Sequence, residues 1–199
     1  MEFDPRNVET FLTPYLREDR KQGFLEALKD FPPAKDFYRR LDDPDPLQGD
    51  CWAGLTVINF ADGTRDRIKG LVLSNSCDIT GENSRPVPVG LSFAPLVPLA
   101  RYEEVLRRAV SDRDRVNNHI RDVRAQKVSS LFFLPDIGTL GGDSIAVLDD
   151  VHTVPLDFFT RDSSKSRVFS LSDIGFWLFL FKLSFHFCRF HERVDRSPE

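Results

Sequence analysis

The chain has 199 residues, enough for one self-sufficient domain. Its 31 acidic and 27 basic residues leave a net charge of −4, which argues against a nonspecific nucleic-acid binder held by overall charge and leaves room for a local basic face. Three widely spaced cysteines, Cys51, Cys77 and Cys188, contain no CxxC pair, which argues against a zinc ribbon; reduced thiols in the cytoplasm and no cofactor are expected.

The N-terminus opens on acidic and polar residues without an apolar run, so nothing in it marks the chain for export. Residues 7 to 30 have helical apolar spacing, with Phe24, Leu25 and Leu28 on one face and Glu26 and Lys29 on the other. Phe31-Pro32-Pro33 ends that helix, and Asp42-Asp43-Pro44-Asp45-Pro46 forms a rigid acidic approach to the main domain. Residues 50 to 59 read as a strand, and Asp62-Gly63 marks a hairpin return through 65 to 75. A polar loop is expected from Asp78 to Pro86. A third strand, 87 to 97, carries Pro88 and Pro95, which predicts a bend.

Residues 101 to 127 switch to helical spacing through Tyr102, Val105, Leu106, Ala109 and Val110, then Val116, Ile120 and Val123. Strands are expected at 130 to 134 and 143 to 154, a helical turn at 155 to 159, and a loop at 160 to 168. Ser172-Asp173 caps a final helix over 173 to 194 that docks Phe176, Trp177, Leu180, Phe181 and Leu183 on the core. Its stripe of Lys182, His186, Arg189 and Arg193 is expected to be the wet edge. Those charges, in so short an apolar run, argue against stable membrane insertion. The pattern predicts an α+β domain: a small antiparallel β-barrel with N-terminal helices (1 to 48), a helical insertion and a C-terminal helix.

Four landmarks carry a family resemblance: Gly49-Asp50-Cys51-Trp52, Gly70-Leu71-Val72-Leu73-Ser74-Asn75, Ala94-Pro95-Leu96-Val97-Pro98, and the run Gly142-Asp143-Ser144-Ile145-Ala146-Val147-Leu148 ending in Thr153-Val154. Over residues 49 to 160 the chain resembles the MazF/PemK toxins of bacterial toxin–antitoxin systems. The resemblance implies an SH3-like barrel, homodimers, cleavage of single-stranded RNA and an antitoxin partner. Where the toxins place an Arg-Pro in the second strand, this chain has Ile68-Lys69; where they place Thr or Ser in the third, it has Val97. The expectation is therefore a non-catalytic or weakly catalytic module acting through RNA or protein contacts in a toxin–antitoxin or phage-defence setting. The alternative is an active endoribonuclease whose groups sit at Arg67, Lys69 and Ser92.

Cys77-Asp78 follows a strand end, beside Asn75, and supports two readings. One is a thiol-dependent enzyme with Cys77 as nucleophile and His152 or His186 as base; Asn75 and Asp78 are separately candidate binding residues. The other is a small buried thiol, with Asp78 capping a turn. Cys188 and His191 share a helical face that His186 does not, and two ligands do not complete a metal site. Arg107, Arg108, Arg113, Arg115, Arg121, Arg124 and Lys127 offer a phosphate-contacting face or, with the intervening acids, a solvated helix.

Overall fold

Alternation along the strands sends apolar side chains to both faces of one sheet, and helices cover both. The computed structural model describes residues 37–41, 44–81, 87–136, 138 and 140–187. The expected helix at 7 to 30, Asp42 and Asp43, and the last helix beyond Phe187 lie outside them.

The strands are β1 (Tyr38–Arg39), β2 (Asp50–Ile58), β3 (Arg65–Val72), β4 (Gly90–Pro98), β5 (Leu131–Leu134), β6 (Ser144–Val147), β7 (His152–Pro155) and β8 (Ser166–Leu171). The helices are α1 (Ser76–Ile79), α2 (Leu99–Ala109), α3 (Arg113–Arg124), α4 (Leu156–Arg161) and α5 (Asp173–Phe187). The class is α+β, and every strand pairing is antiparallel. The sheet order is β1-β8-β2-β3-β4-β6-β5, with β7 on β4. The hydrogen-bonded path is open rather than closed into a barrel, with β1 and β5 at its ends.

Prolines explain the bend in β4. Pro95 is the last residue paired with β3, opposite Gly70, and Leu96 is the first paired with β6. The strand changes partner where a ladder N–H is missing. Gly70 is required there, because a Cβ would lie 2.8 Å from both Leu55 and Phe93.

One face carries Cys51, Leu71, Ala94, Phe132, Ala146 and Phe169 against Leu178 and Phe179 of α5. The other face holds two cores. Trp52, Leu55, Val72 and Phe93 pack under Ile79 of α1 and Phe159 of α4. Leu131, Phe133 and Ile145 pack under Val116, Ile120 and Val123 of α3.

Several expectations need correction. The run 143 to 154 is two strands: β4 advances from Leu96 to Phe93 while its partner advances from Ala146 to His152, so three extra residues form a turn. The strand expected to reach residue 75 ends at Val72, because the N–H groups of both Leu73 and Ser74 turn to the Ser92 carbonyl. The loop expected after Asp78 begins later, since Ser76–Ile79 form a helical turn. Residues 166 to 168 belong to β8, where Arg167 enters a strand because Asp50 neutralises it. Lys182 is buried and His186 reaches Asp149 of the turn after β6, so neither marks a wet edge.

Candidate functional site

The helical insertion carries a net positive charge in an otherwise acidic chain. Residues 101 to 127 carry eight basic and five acidic residues; the remainder carries nineteen basic and twenty-six acidic. Val116, Ile120 and Val123 hold α3 on the sheet, and Asp112 caps it, its Oδ1 accepting from the N–H groups of Asp114 and Arg115 at 3.0 Å. Arg113, Asn117, Arg121 and Arg124 then recur on one flank at helical spacing.

Arg107 joins this ribbon from α2, donating to Asn117 Oδ1 at 2.8 Å and to Glu103 Oε1. Between the two helices lies a shallow cleft of about 480 Å³ lined by Arg107, Val110, Ser111, Arg113 and Val116. Among the described residues Arg113 and Arg121 have no carboxylate partner, while Arg124 pairs with Asp143 and lies 5.6 Å from the Phe133 ring centre. Arg108 points elsewhere, paired with Glu104. Of the basic residues offered as a phosphate face, Arg107, Arg113, Arg121 and Arg124 thus share a ribbon and Arg108 does not. Guanidinium forks with few internal partners are suited to phosphate oxygens.

The residues considered for catalysis are dispersed. Arg67 donates to Ser164 Oγ and lies 3.4 Å from Asp162 Oδ2. The Asp162 carboxyl is held well below the usual range by hydrogen bonds from Ser164 and Lys165. Lys69 stands opposite Ala53. Ser92 Oγ is 2.9 Å from Thr153 Oγ1, and its N–H donates to Ser74 Oγ at 2.8 Å. Because Leu73 N–H donates to the Ser92 carbonyl, Ser92 sits opposite residue 73, six positions along the strand from Arg67. At about 3.3 Å per residue that is roughly 20 Å of strand, so the two are not assembled into an acid–base pair.

The Cys77 thiol is exposed, which corrects the buried reading. Its N–H donates to Asn75 Oδ1 at 2.9 Å, so Asn75 is the cap of α1; Asp78 N–H donates to the Asn75 carbonyl. The histidines considered as its base are committed: His152 Nε2 to Asp150 at 3.0 Å, with its ring stacked on Phe93, and His186 Nε2 to Asp149 at 3.1 Å. Among the described residues no group of three His, Cys, Asp or Glu could hold a metal ion; Cys188 and His191 lie outside them.

Sequence reasoning missed two arrangements. The Gly49-Asp50-Cys51-Trp52 landmark has a structural role: buried Asp50 accepts Leu47 N–H and Arg167 Nε, both at 2.9 Å. Arg167 also donates to the carbonyls of Leu41 and Asp45 and lies 4.9 Å from the Trp52 ring centre. Cys51 beside it is buried, which pushes its thiol up to about 12. The second is Lys182, whose signal was a lone cation within an apolar helix.

No protein-family model, no curated protein and no solved structure matches the chain. No helix of the described residues is long and apolar enough to cross a membrane.

Proposed function

We propose that this chain is a MazF/PemK-like module of the bacterial cytoplasm that contacts single-stranded RNA through its helical insertion without cleaving it. The consecutive antiparallel order β2-β3-β4, bent around Trp52, Leu55, Phe93 and Val154, supports an SH3-like wrap of these strands. The observation that carries the RNA reading is the ribbon of Arg107, Arg113 and Arg121, the first two of which line the cleft between α2 and α3. Three phosphate contacts give a salt slope of about −2 on a log–log plot, the mark of a weak, backbone-directed binder. The separation of Arg67 from Ser92 supports the non-cleaving form, since fold resemblance alone does not license activity. A toxin–antitoxin or phage-defence setting follows from the resemblance.

Fluorescence anisotropy with a short unstructured RNA tests the reading. Binding should fall with salt at that slope and disappear in an Arg113→Glu, Arg121→Glu double variant, with the RNA intact throughout. Unchanged binding by the double variant rejects the ribbon as the site. RNA cleavage that Arg67→Ala abolishes makes the chain an active endoribonuclease.

A further inference from the structure

The loop after α4 gathers cations around one carboxylate. Lys165 buries its side chain to 2% exposure and donates to the Phe158 and Phe159 carbonyls of α4, each at 3.3 Å. Asp162 Oδ2 accepts Lys165 Nζ at 3.0 Å and Arg67 Nη2 at 3.4 Å, and Oδ1 accepts the N–H and hydroxyl of Ser164 at 3.0 and 2.5 Å. One carboxylate thus serves two cations, and a positive charge is left over. Ser164 Oγ also accepts from Arg67 Nη1, which fixes that guanidinium of β3 beside α4.

The same lysine orients an aromatic ring. Its Nζ lies 4.8 Å from the Phe158 ring centre, so a cation covers one face, yet Phe158 is 45% exposed. Phe158, Pro155, Arg67, Arg161, Asp157 and Asp162 line a depression of about 470 Å³, within the size range of small-molecule sites. Arg161 pairs with Asp157 at 3.1 Å, i to i+4, with both side chains mostly in solvent. Such a pair is worth little and exchanges readily. The depression therefore offers a held ring, one fixed guanidinium and one that can swing.

We propose that this depression binds free guanosine monophosphate. The base stacks on the open face of Phe158, and the phosphate is clamped by Arg67 and Arg161. The Asp157 carboxylate that Arg161 leaves accepts the adjacent imino and amino N–H groups of the guanine edge. Each feature excludes a simpler ligand. A bare phosphate leaves Phe158 and Pro155 in water, and an uncharged ring leaves the surplus charge unanswered. The cation beneath Phe158 draws π density to its own side, which suits an electron-rich purine on the other. Adenine sets an acceptor nitrogen beside its amino group and would meet a carboxylate with like charge; guanine meets it with two donors. A nucleotide within an RNA strand brings flanking phosphates, and the remaining charges lining the depression are carboxylates. The site packs on the Trp52 and Phe93 core, whereas the arginine ribbon packs on the Phe133 and Ile145 core, so either assignment can fail alone.

A ligand-observed NMR titration of the full chain with guanosine 5′-monophosphate tests the site. Saturable binding with a Kd of about 0.1–1 mM is expected, and guanosine, ribose 5-phosphate and adenosine 5′-monophosphate should each bind at least about tenfold more weakly. Phe158→Leu and Arg161→Ala should each weaken binding by at least about tenfold with unchanged circular dichroism, while the Arg113→Glu, Arg121→Glu double variant binds as the wild type does. No saturation by about 5 mM, equal binding of the adenosine nucleotide, or a Kd that survives both substitutions at the depression overturns the proposal. Loss of binding in the ribbon double variant, or displacement of the nucleotide by a short unstructured RNA, overturns it equally.

Discussion

The Lys182 Nζ donates to the backbone carbonyl of Gln126, and both residues are buried. Gln126 adopts a left-handed φ of +59°, which turns its carbonyl toward α5 while its side chain reaches the edge strand β5. There its Nε2 donates to the Phe133 carbonyl at 2.7 Å and its Oε1 accepts Phe133 N–H at 3.1 Å. One amide thus does for the sheet edge what a ninth strand would do, and one amine ties the last helix to it.

Burial lowers the Lys182 amine from 10.5 to about 7. In the unfolded chain the amine stays protonated to about 10.5, so between pH 7 and 10.5 folding releases a proton. The cost of burying a cation is therefore fully present below pH 7 and is relieved as pH rises. Stability should climb by about 1.4 kcal/mol per pH unit from pH 7 toward 10 through this group. Urea titrations of wild type and Lys182→Met across that range check it: the difference between the two curves should carry the slope, with the variant the more stable at pH 7.

Gln126→Ala removes both bonds to Phe133 and leaves a buried N–H and carbonyl without partners. The expected cost is about 2–4 kcal/mol. A matched loss of hydrogen-exchange protection at Phe133 and its neighbours would place the damage at the β5 edge.

Arg167→Ala strands a buried Asp50 carboxylate and two backbone carbonyls, and should cost about 3–5 kcal/mol. Arg167→Lys keeps the charge but not the fork, so it should recover only part of that loss. Denaturant midpoints at neutral pH measure both.

Gly175→Ala reverses the usual order of helix propensity. Alanine ordinarily stabilises a helix interior by about 1 kcal/mol over glycine. Here its Cβ would lie 2.6 Å from the Phe37 carbonyl oxygen, the acceptor of Ser172 N–H. The backbone at Phe37, just before β1, must move, so thermal unfolding should show a net loss of about 1–3 kcal/mol.

The two described thiols should separate by reactivity. In a Cys188→Ser protein, a thiol reagent at pH 8 should label exposed Cys77 in the native state and Cys51 only on unfolding, because burial raises the Cys51 thiol and blocks access. Cys77→Ser should leave RNA binding unchanged; lost binding would revive a functional thiol.

Periodicity by itself determined much of the architecture. Tyr102, Leu106, Val116 and Ile120 announced the helical insertion, Asp62-Gly63 announced the hairpin, and the apolar runs of β2, β3, β5 and β6 announced their strands, because each signal is local in the chain. The tertiary structure alone decided where charge could be buried. Arg167 is legible as a strand residue only once Asp50, 117 residues away, is seen beside it. Lys182 reads as a solvent stripe until Gln126, 56 residues away, is found accepting its proton donor. The spread of Arg67 and Ser92 and the ribbon joining Arg107 to Arg121 likewise depend on register and helix docking. Solvation of a charge is set by its neighbours in space, and spacing along one chain reports those neighbours only within a few residues.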